Sequence, residues 1–452
     1  MHSADTIAAV ASAPGAAGIG IIRITGPAAA TIARTLLGRE PRPRYAHHAR
    51  FTEPDGALLD QGLLLWFPAP RSYTGEDVLE LHAHGSPVLL DLLLRRVYAL
   101  GARPARPGEF TERAFLNGKL DLAQAEAVAD IIAAGSEAAL RAAQRSLAGA
   151  FSERVRQLQE GLTAARVQIE ATLDFPDEEL EILRDPALIR LLDELNDMNQ
   201  GVLAAAHRGL RLARGLEVVL VGAPNVGKSS LLNALVGVER AIVTPVPGTT
   251  RDVLHVDVAF DGIRLQIADT ADLRESDDVV EQEGIRRARA ELARADLALL
   301  VTRNATWSQD LAWLRAHFQP LPPILLVLNK IDLDGVQPQL LGNLDGLEGV
   351  ALSARSGAGI DLLQVALRER AGAGDGAEGA FSARERHVRA LQQTAMSIEA
   401  ARDEVIRVGS GGMAELAADA LRLAQSALDD VTGVHSSDDL LGAIFSSFCI
   451  GK

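Results

Sequence analysis

Residues 222–229 read GAPNVGKS, and no other stretch constrains the chain as much. They complete the pattern GxxxxGK[ST] between an apolar run at 218–221 and helical text opening at Lys228, the strand, loop and helix context of a phosphate-binding loop. The glycines let backbone N–H groups close around phosphate, Lys228 reaches the β and γ groups, and the Ser229 hydroxyl suits Mg²⁺. Such a loop needs a strand in a sheet, and the text around it supplies several. Runs at 218–221, 265–268, 297–301 and 324–328 alternate with helical segments between Leu216 and about Arg370, which predicts a mostly parallel, doubly wound α/β sheet.

Further elements come in the order of a guanine-nucleotide site. Residues 267–270 end a strand on Asp269, about 40 residues after Lys228, where P-loop proteins hold their metal through a carboxylate. Residues 329–332 read NKID directly after an apolar strand. The Asp332 carboxylate can accept two hydrogen bonds from the N1 and N2 edge of guanine, and adenine leaves it unpaired, which is a strong discriminator. Ser353, Ala354 and Arg355 resemble the loop that backs the base. Residues 243–252, VTPVPGTTRD, occupy the switch I position, with Thr250 the hydroxyl expected on Mg²⁺ beside Ser229.

The expected nucleotide contacts are therefore Asn225, Val226, Gly227, Lys228, Ser229 and Ser230 in the P-loop and Thr244, Pro245, Val246, Pro247, Gly248, Thr249 and Thr250 in switch I. Asp269, Thr270, Ala271 and Asp272 come next, and Asn329, Lys330, Asp332, Ser353, Ala354 and Arg355 lie at the base. Leu273 stands where Ras-like GTPases place a water-orienting glutamine, so hydrolysis must draw water positioning and charge neutralisation from elsewhere.

A chain of 452 residues is too long for one core. Its 48% apolar and 23% charged residues are ample for buried cores and unlike the low-hydrophobicity signature of disorder. A formal net charge of -15 argues against coating nucleic acid non-specifically and leaves room for a local basic patch. One cysteine, Cys449, fits a reducing compartment, so the cytoplasm is expected. The first ten residues carry Asp5 and no Lys or Arg, and Pro14, Gly15, Gly18 and Gly20 interrupt the apolar stretch, unlike a signal peptide. No window has the roughly 18 apolar residues of a spanning helix, so any membrane contact would be peripheral.

Residues 6–118 have α+β grammar, and from Lys119 a stripe of Leu120, Ala123, Ala127 and Ile131 opens long amphipathic helices that run to about Arg214. Residues 371–380, AGAGDGAEGA, read as a linker, and helical text resumes at Phe381. An α/β domain inserted into a helical one explains this order economically, with two separate helical domains as the alternative. The expected segments are 1–118, 119–214, 215–371 and 372–452.

PNVGKSSLLNAL, GTTRDV, SYTGEDVLELHAHG at 72–85, RPGEFTERAFLNGKLDLAQAEAVADII at 106–132 and FCIGK at 448–452 go beyond a generic GTPase. From end to end the chain resembles the bacterial tRNA-modification GTPase family MnmE, also called TrmE. That resemblance implies a multidomain fold: an α+β N-terminal domain that binds tetrahydrofolate and dimerises, a discontinuous α-helical domain, and an inserted, K⁺-stimulated α/β P-loop (Ras-like) G domain. It implies a homodimer whose G domains meet in the active state. With MnmG, an FAD- and NADH-dependent partner in a heterotetramer, such a GTPase installs aminomethyl or carboxymethylaminomethyl groups at carbon 5 of the wobble uridine of certain tRNAs. The one-carbon unit comes from a folate, as the 5-formyl or 5,10-methylene derivative.

Carried over by motif, the Asn225 side chain would bind K⁺ with the backbone carbonyls of Thr244, Val246 and Thr249, and Glu281 would position water, completing a catalytic set with Asn225 and Lys228. Folate contacts would fall on Arg23, Glu80, Lys119 and Lys452, with Cys449 nearby. Arg23 stands in an apolar strand, GIGIIRITG, where an unpaired charge would be costly, so a ligand or a carboxylate partner is physically reasonable. Asp272 replaces the glycine of the family's DTAG, Pro245 and Pro247 enter switch I, and Ser86 follows Gly85 where a second glycine is usual. These departures bear on γ-phosphate sensing more than on nucleotide binding. Two other functions compete, a GTP-dependent RNA-binding or ribosome-assembly switch and a folate-dependent one-carbon transferase with a regulatory G domain. The N-terminal 118 residues and FCIGK are what an assembly switch lacks.

Overall fold

The computed structural model of the chain describes residues 5–174, 186–237, 254–260, 263–269, 289–371, 379–407, 413–433 and 438–451. Its strands are β1 (Thr6–Val10), β2 (Ala17–Thr25), β3 (His47–Thr52), β4 (Leu58–Phe67), β5 (Val78–Gly85), β6 (Ala102–Pro104), β7 (Leu216–Val221), β8 (Leu254–Phe260), β9 (Ile263–Asp269), β10 (Leu297–Thr302), β11 (Ile324–Leu328), β12 (Gln339–Leu344) and β13 (Leu347–Ala351). The helices begin with α1 (Ala29–Leu37), α2 (Pro87–Ala99), α3 (Glu109–Leu116), α4 (Leu122–Ala133), α5 (Glu137–Leu147), α6 (Ala150–Asp174) and α7 (Pro186–Arg214). After the P-loop come α8 (Lys228–Val236), α9 (Trp307–His317), α10 (Ile331–Asp334), α11 (Ile360–Arg370), α12 (Glu385–Arg407), α13 (Ala414–Thr432) and α14 (Asp438–Ser446). The chain divides into two units, one of residues 1–129, 147–196 and 393–452, the other of 130–146 and 197–392.

The first unit holds a six-stranded sheet in the order β3-β4-β5-β2-β1-β6. Strand alternation gives it two different faces. Ile22, Ile24, Phe51, Leu64, Leu79 and Leu81 point to one side and form a core with Ile32 of α1 and Leu93 and Val97 of α2. Ile21 and Arg23, on the opposite side of β2, stay half-buried. Gly62 lets β4 run flat past β5, because a Cβ there would lie 2.0 Å from the His82 carbonyl oxygen. Reciprocal bonds between Asp121 and Gln124 cap the start of α4, with backbone N–H groups donating to the opposite side chains at 2.8 and 3.0 Å. Helices α6 and α13, which lie on either side of the nucleotide domain in sequence, pack here through Gln159 to Asp429 at 2.6 Å and Gln425 to Thr163 at 2.7 Å.

The second unit holds seven strands in the order β12-β13-β11-β10-β7-β9-β8. The five inner strands are parallel, and each edge strand is antiparallel to its neighbour. Helices cover both faces, which is why the inner strands read as unbroken apolar runs. Val218 and Leu220 join a core with Leu231 and Leu235 of α8 and Leu363 of α11, whereas Val219 and Val221 face Leu311 and Leu314 of α9. Arg384 pairs with Asp130 at 2.9 Å, the Ser146 hydroxyl donates to the Ser382 carbonyl at 3.0 Å, and Asn199 donates to the Leu391 carbonyl at 3.0 Å. No described helix is long and apolar enough to cross a membrane.

Candidate nucleotide and folate sites

Strand β7 ends at Val221, and the loop after it turns where side chains would not fit. A Cβ on Gly222 would lie 2.1 Å from the Val301 carbonyl oxygen, and one on Gly227 would lie 2.5 Å from Asn329 Nδ2. Gly227 also has φ 101°, in the left-handed region that L side chains rarely adopt. Beyond it α8 presents the N–H groups of its first turn. Lys228 is buried, and its ammonium donates to the carbonyls of Gly222 at 2.9 Å and Ala223 at 3.1 Å, gathering the start of the loop onto its end. Ser229 and Ser230 are exposed at the helix start.

Asn329 holds the base side to the phosphate side. Its Nδ2 donates to the Val226 carbonyl at 2.9 Å, and its Oδ1 accepts from the Lys330 and Ala354 N–H groups at 2.8 and 2.9 Å. One buried amide thereby fixes the P-loop, the NKID segment and the SAR loop together, a bracing role that its place in a motif did not reveal. Lys330, at φ 64°, donates from its ammonium to the Asn225 carbonyl at 2.5 Å. The Ser353 hydroxyl donates to Asp332 Oδ1 at 2.6 Å and orients that exposed carboxylate. Arg355 is exposed at the tip of the same loop.

The donor set suits a nucleotide phosphate chain with Mg²⁺: a cradle without Cβ atoms at two positions, a buried ammonium, a helix start and the Ser229 hydroxyl. Asp269 is paired with Leu220 in the β7–β9 register, which places its backbone at the P-loop end of the sheet. Of Asp269 only the backbone is described. Thr244, Pro245, Val246, Pro247, Gly248, Thr249 and Thr250 lie outside the described residues, as do Thr270, Ala271, Asp272, Leu273, Glu281 and Lys452.

In the first unit, Arg23 of β2 sits opposite Glu80 of β5, and Arg23 Nε donates to Glu80 Oε1 at 3.0 Å. The Arg23 guanidinium also donates to the Gly451 carbonyl at 3.4 Å and lies 5.6 Å from the Tyr73 ring centre and 6.0 Å from that of Phe110. His82, one step along the same face of β5, brings Nε2 to 3.4 Å from the other Glu80 oxygen. Burial pushes the Tyr73 phenol up in pKa, against the opposing pull of Thr111 and Arg23. The chain ending comes in through its backbone: Gly108 N–H donates to the Cys449 carbonyl at 3.4 Å, and Gly451 packs so closely on β1 that a Cβ would lie 2.3 Å from the Val10 oxygen. Cys449 is exposed. Arg23, Glu80 and the Gly451 carbonyl therefore meet. Lys119 is exposed and donates instead to the Pro70 carbonyl at 3.1 Å.

A charged cluster that the sequence did not reveal lies in the same unit. Glu109, 2% exposed, accepts from Arg103 at 2.9 Å, from the Arg106 N–H at 2.8 Å and from Arg113 at 3.2 Å. Arg113 also donates to Asp5 at 2.8 Å and Glu76 at 3.0 Å. Burial alone would raise the Glu109 pKa, but the bonds from Arg103, the Arg106 N–H and Arg113 outweigh it and hold the carboxyl below its ordinary value. The one sequence signal was the spacing of Glu109 and Arg113, four apart on a helix.

Two family models match the chain: the MnmE helical domain over residues 122–449 and the N-terminus of GTP-binding protein TrmE over residues 6–119. The tRNA modification GTPase MnmE of Stutzerimonas stutzeri is 51% identical over 453 residues, covering 99% of each chain. That of Proteus mirabilis is 49% identical over 459 residues, covering 100% of each. Among solved structures, the G domain of the T. maritima FeoB iron transporter is similar over 34% of this chain and 98% of its own, with 27% identity and a TM-score of 0.28. With the P-loop and NKID elements in place and identity of this order running from end to end, the chain belongs to the MnmE family of tRNA modification GTPases.

Proposed function

We propose that the chain uses GTP hydrolysis to drive addition of an aminomethyl or carboxymethylaminomethyl group to carbon 5 of the wobble uridine of certain tRNAs, as a cytoplasmic homodimer working with an MnmG-type FAD- and NADH-dependent partner in a heterotetramer. One observation carries this reading: a single chain holds both a P-loop braced by Asn329 to the NKID segment and an Arg23–Glu80 pair met by the Gly451 carbonyl. A ribosome-assembly switch needs only the first. Mass spectrometry of tRNA nucleosides from cells lacking the protein is expected to reveal wobble uridines without the C5 substituent, and unchanged wobble uridines overturn the proposal.

In this reading Asp332 reads the guanine edge, the α8 N–H groups and Lys228 hold the phosphates, and Glu281 positions the attacking water. Ser229 and Thr250, with Asp269 nearby, would hold Mg²⁺, which when bound neutralises charge between the β and γ phosphates. The half-buried Arg23 guanidinium between two aromatic rings suits a planar, carboxylate-bearing folate, with Glu80 accepting ring N–H groups and Lys119 and Lys452 completing the site. Asn225, exposed in the P-loop at φ 61°, would hold K⁺ with the carbonyls of Thr244, Val246 and Thr249, supplying positive charge in the place of an arginine finger. GTP turnover is then faster in K⁺ than in Na⁺, and Asn225→Ala removes the difference. Equal turnover of the native chain in the two salts eliminates the cation site.

A further inference from the structure

Arginines in this structure meet carboxylates at many points, as in Arg23–Glu80, Arg103–Glu109, Arg214–Asp296 and Arg402–Asp193. One strip of surface gathers five arginines that do not. Arg39, Arg42, Arg44 and Arg50, on the connection from α1 and along β3, and Arg71, between β4 and β5, are all exposed, and none is paired with a carboxylate among the described residues. Three of the acidic groups near them are engaged elsewhere. Glu40 pairs with Arg34, Asp60 is held by His84, and Asp77 accepts from the Ala69 N–H.

The strip is built as one surface. The Arg44 N–H donates to the Trp66 carbonyl at 2.8 Å, and its guanidinium donates to the Arg71 carbonyl, so the two arginine-bearing segments are joined across the end of β4. In β3 the residues His47, Ala49 and Phe51 point inward, which turns His48 and Arg50 to the outer face opposite Leu63 and Gln61 of β4. Among the arginines lies Tyr45, 50% exposed, with the Arg42 guanidinium 4.9 Å from its ring centre and the His47 ring edge-on at 4.9 Å. Charge on an edge strand also discourages strand addition, and that accounts for Arg50. It does not account for Arg39, Arg42, Arg44 and Arg71, which lie off the strand, or for a half-exposed tyrosine among them.

We infer that this strip binds the ribose-phosphate backbone of RNA, with the Arg42–Tyr45 pair offering a ring and a guanidinium plane to an unstacked base. Clustered arginines with an aromatic interleaved are the chemistry of such contacts, and their concentration in a chain of net charge -15 sets them apart from its average surface. A two-fold contact between copies centred on the strip would set arginines against arginines. The inference rests on the reading of the chain as a tRNA-modifying enzyme and names where the tRNA would be held.

Anisotropy titrations of an unmodified tRNA transcript with the full chain, between about 50 and about 200 mM sodium chloride, test it. The triple variant Arg42→Gln, Arg44→Gln, Arg50→Gln is expected to bind roughly tenfold or more weakly, with the slope of log affinity against log salt smaller by about two, alike for cognate and unrelated tRNAs. The same three positions changed to Lys keep the slope. Tyr45→Ala weakens binding and leaves the slope. GTP turnover without tRNA stays native in every variant, which verifies the fold. Native affinity and slope in the triple variant overturn the inference, as does a change confined to the sedimentation of the protein, which would make the strip a contact between copies. The wobble-uridine measurement separates the two ideas: modification lost without the protein alongside native tRNA affinity in the variant sinks the strip alone, and unchanged wobble uridines alongside a reduced slope sink the function alone.

Discussion

Four of the 45 basic residues in this chain are lysine, namely Lys119, Lys228, Lys330 and Lys452, and the rest are arginine. Each of the four stands at a position expected to hold nucleotide or folate. The two side chains differ where space is tight: an ammonium is compact and can aim three donors, whereas a guanidinium is a planar fork. Lys228 makes the contrast concrete, because its buried ammonium bridges two loop carbonyls at 2.9 and 3.1 Å inside a turn that admits no Cβ at Gly222 or Gly227. A fork placed there has no room and cannot reach the same oxygens. Lys228→Arg is therefore expected to lower GTP turnover on the order of a hundredfold, and Lys330→Arg to weaken nucleotide affinity about tenfold, roughly 1.4 kcal/mol. The reverse swap at exposed Arg315 changes neither. Steady-state turnover and nucleotide titration measure these effects, and native values for Lys228→Arg remove the argument. The motif singled out Asp332 as the expected reader of the guanine edge but gave Asn329 no separate part, because a bracing role lies in which atoms a side chain reaches.

Four of the five inner strands of the P-loop sheet were legible and its two edge strands were not. The apolar runs at 218–221, 297–301 and 324–328 appear as the inner strands β7, β10 and β11, since a strand covered on both sides must be apolar throughout. Strands β8 and β12, each with one neighbour, carry no such run. The cluster at the start of α3 was hidden for another reason. Arg103 and Arg113 reach Asp5 across sequence separations of 98 and 108, and no local pattern encodes that meeting. Its consequence is a pH dependence with a definite sign. The Glu109 carboxyl is held below its ordinary value of 4.5, so the carboxylate contributes stability that is fully present above about pH 4.5 and is lost as pH falls through the lower, folded value. Glu109→Gln leaves Arg103 and Arg113 short of a partner and is expected to cost about 3–5 kcal/mol at neutral pH. Urea unfolding of the full chain between about pH 7 and pH 3 then finds native and variant stabilities converging in acid. A gap that stays constant with pH, or one below about 1 kcal/mol at neutrality, is incompatible with this role.

Helical text stops at about Arg214 and resumes at Phe381, yet the two units divide elsewhere, at 129/130, 146/147, 196/197 and 392/393. Composition identifies helices without saying which of them pair. Helix α5 goes with the P-loop sheet through Ala142, which lies in that sheet's core, and the start of α12 is tied to α7 by the bond from Asn199 to the Leu391 carbonyl, whereas α6 goes with α13. Each unit has apolar cores of its own, and a chain of 452 residues with separate cores is not expected to unfold as one cooperative body. The nucleotide residues lie in one unit and Arg23, Glu80 and Gly451 in the other, so each ligand should stabilise its own unit by mass action. A ligand at about one hundred times its Kd adds about 2.7 kcal/mol, roughly a 5–10 °C rise in Tm for a unit of about 200 residues. Calorimetry is therefore expected to resolve two transitions, with GDP raising one and 5-formyltetrahydrofolate raising the other. Asp332→Asn cancels the GDP shift and leaves the folate shift, while Arg23→Ala does the opposite. A single transition that moves with both ligands would mean that the whole chain unfolds as one body and that the two sites share its stability.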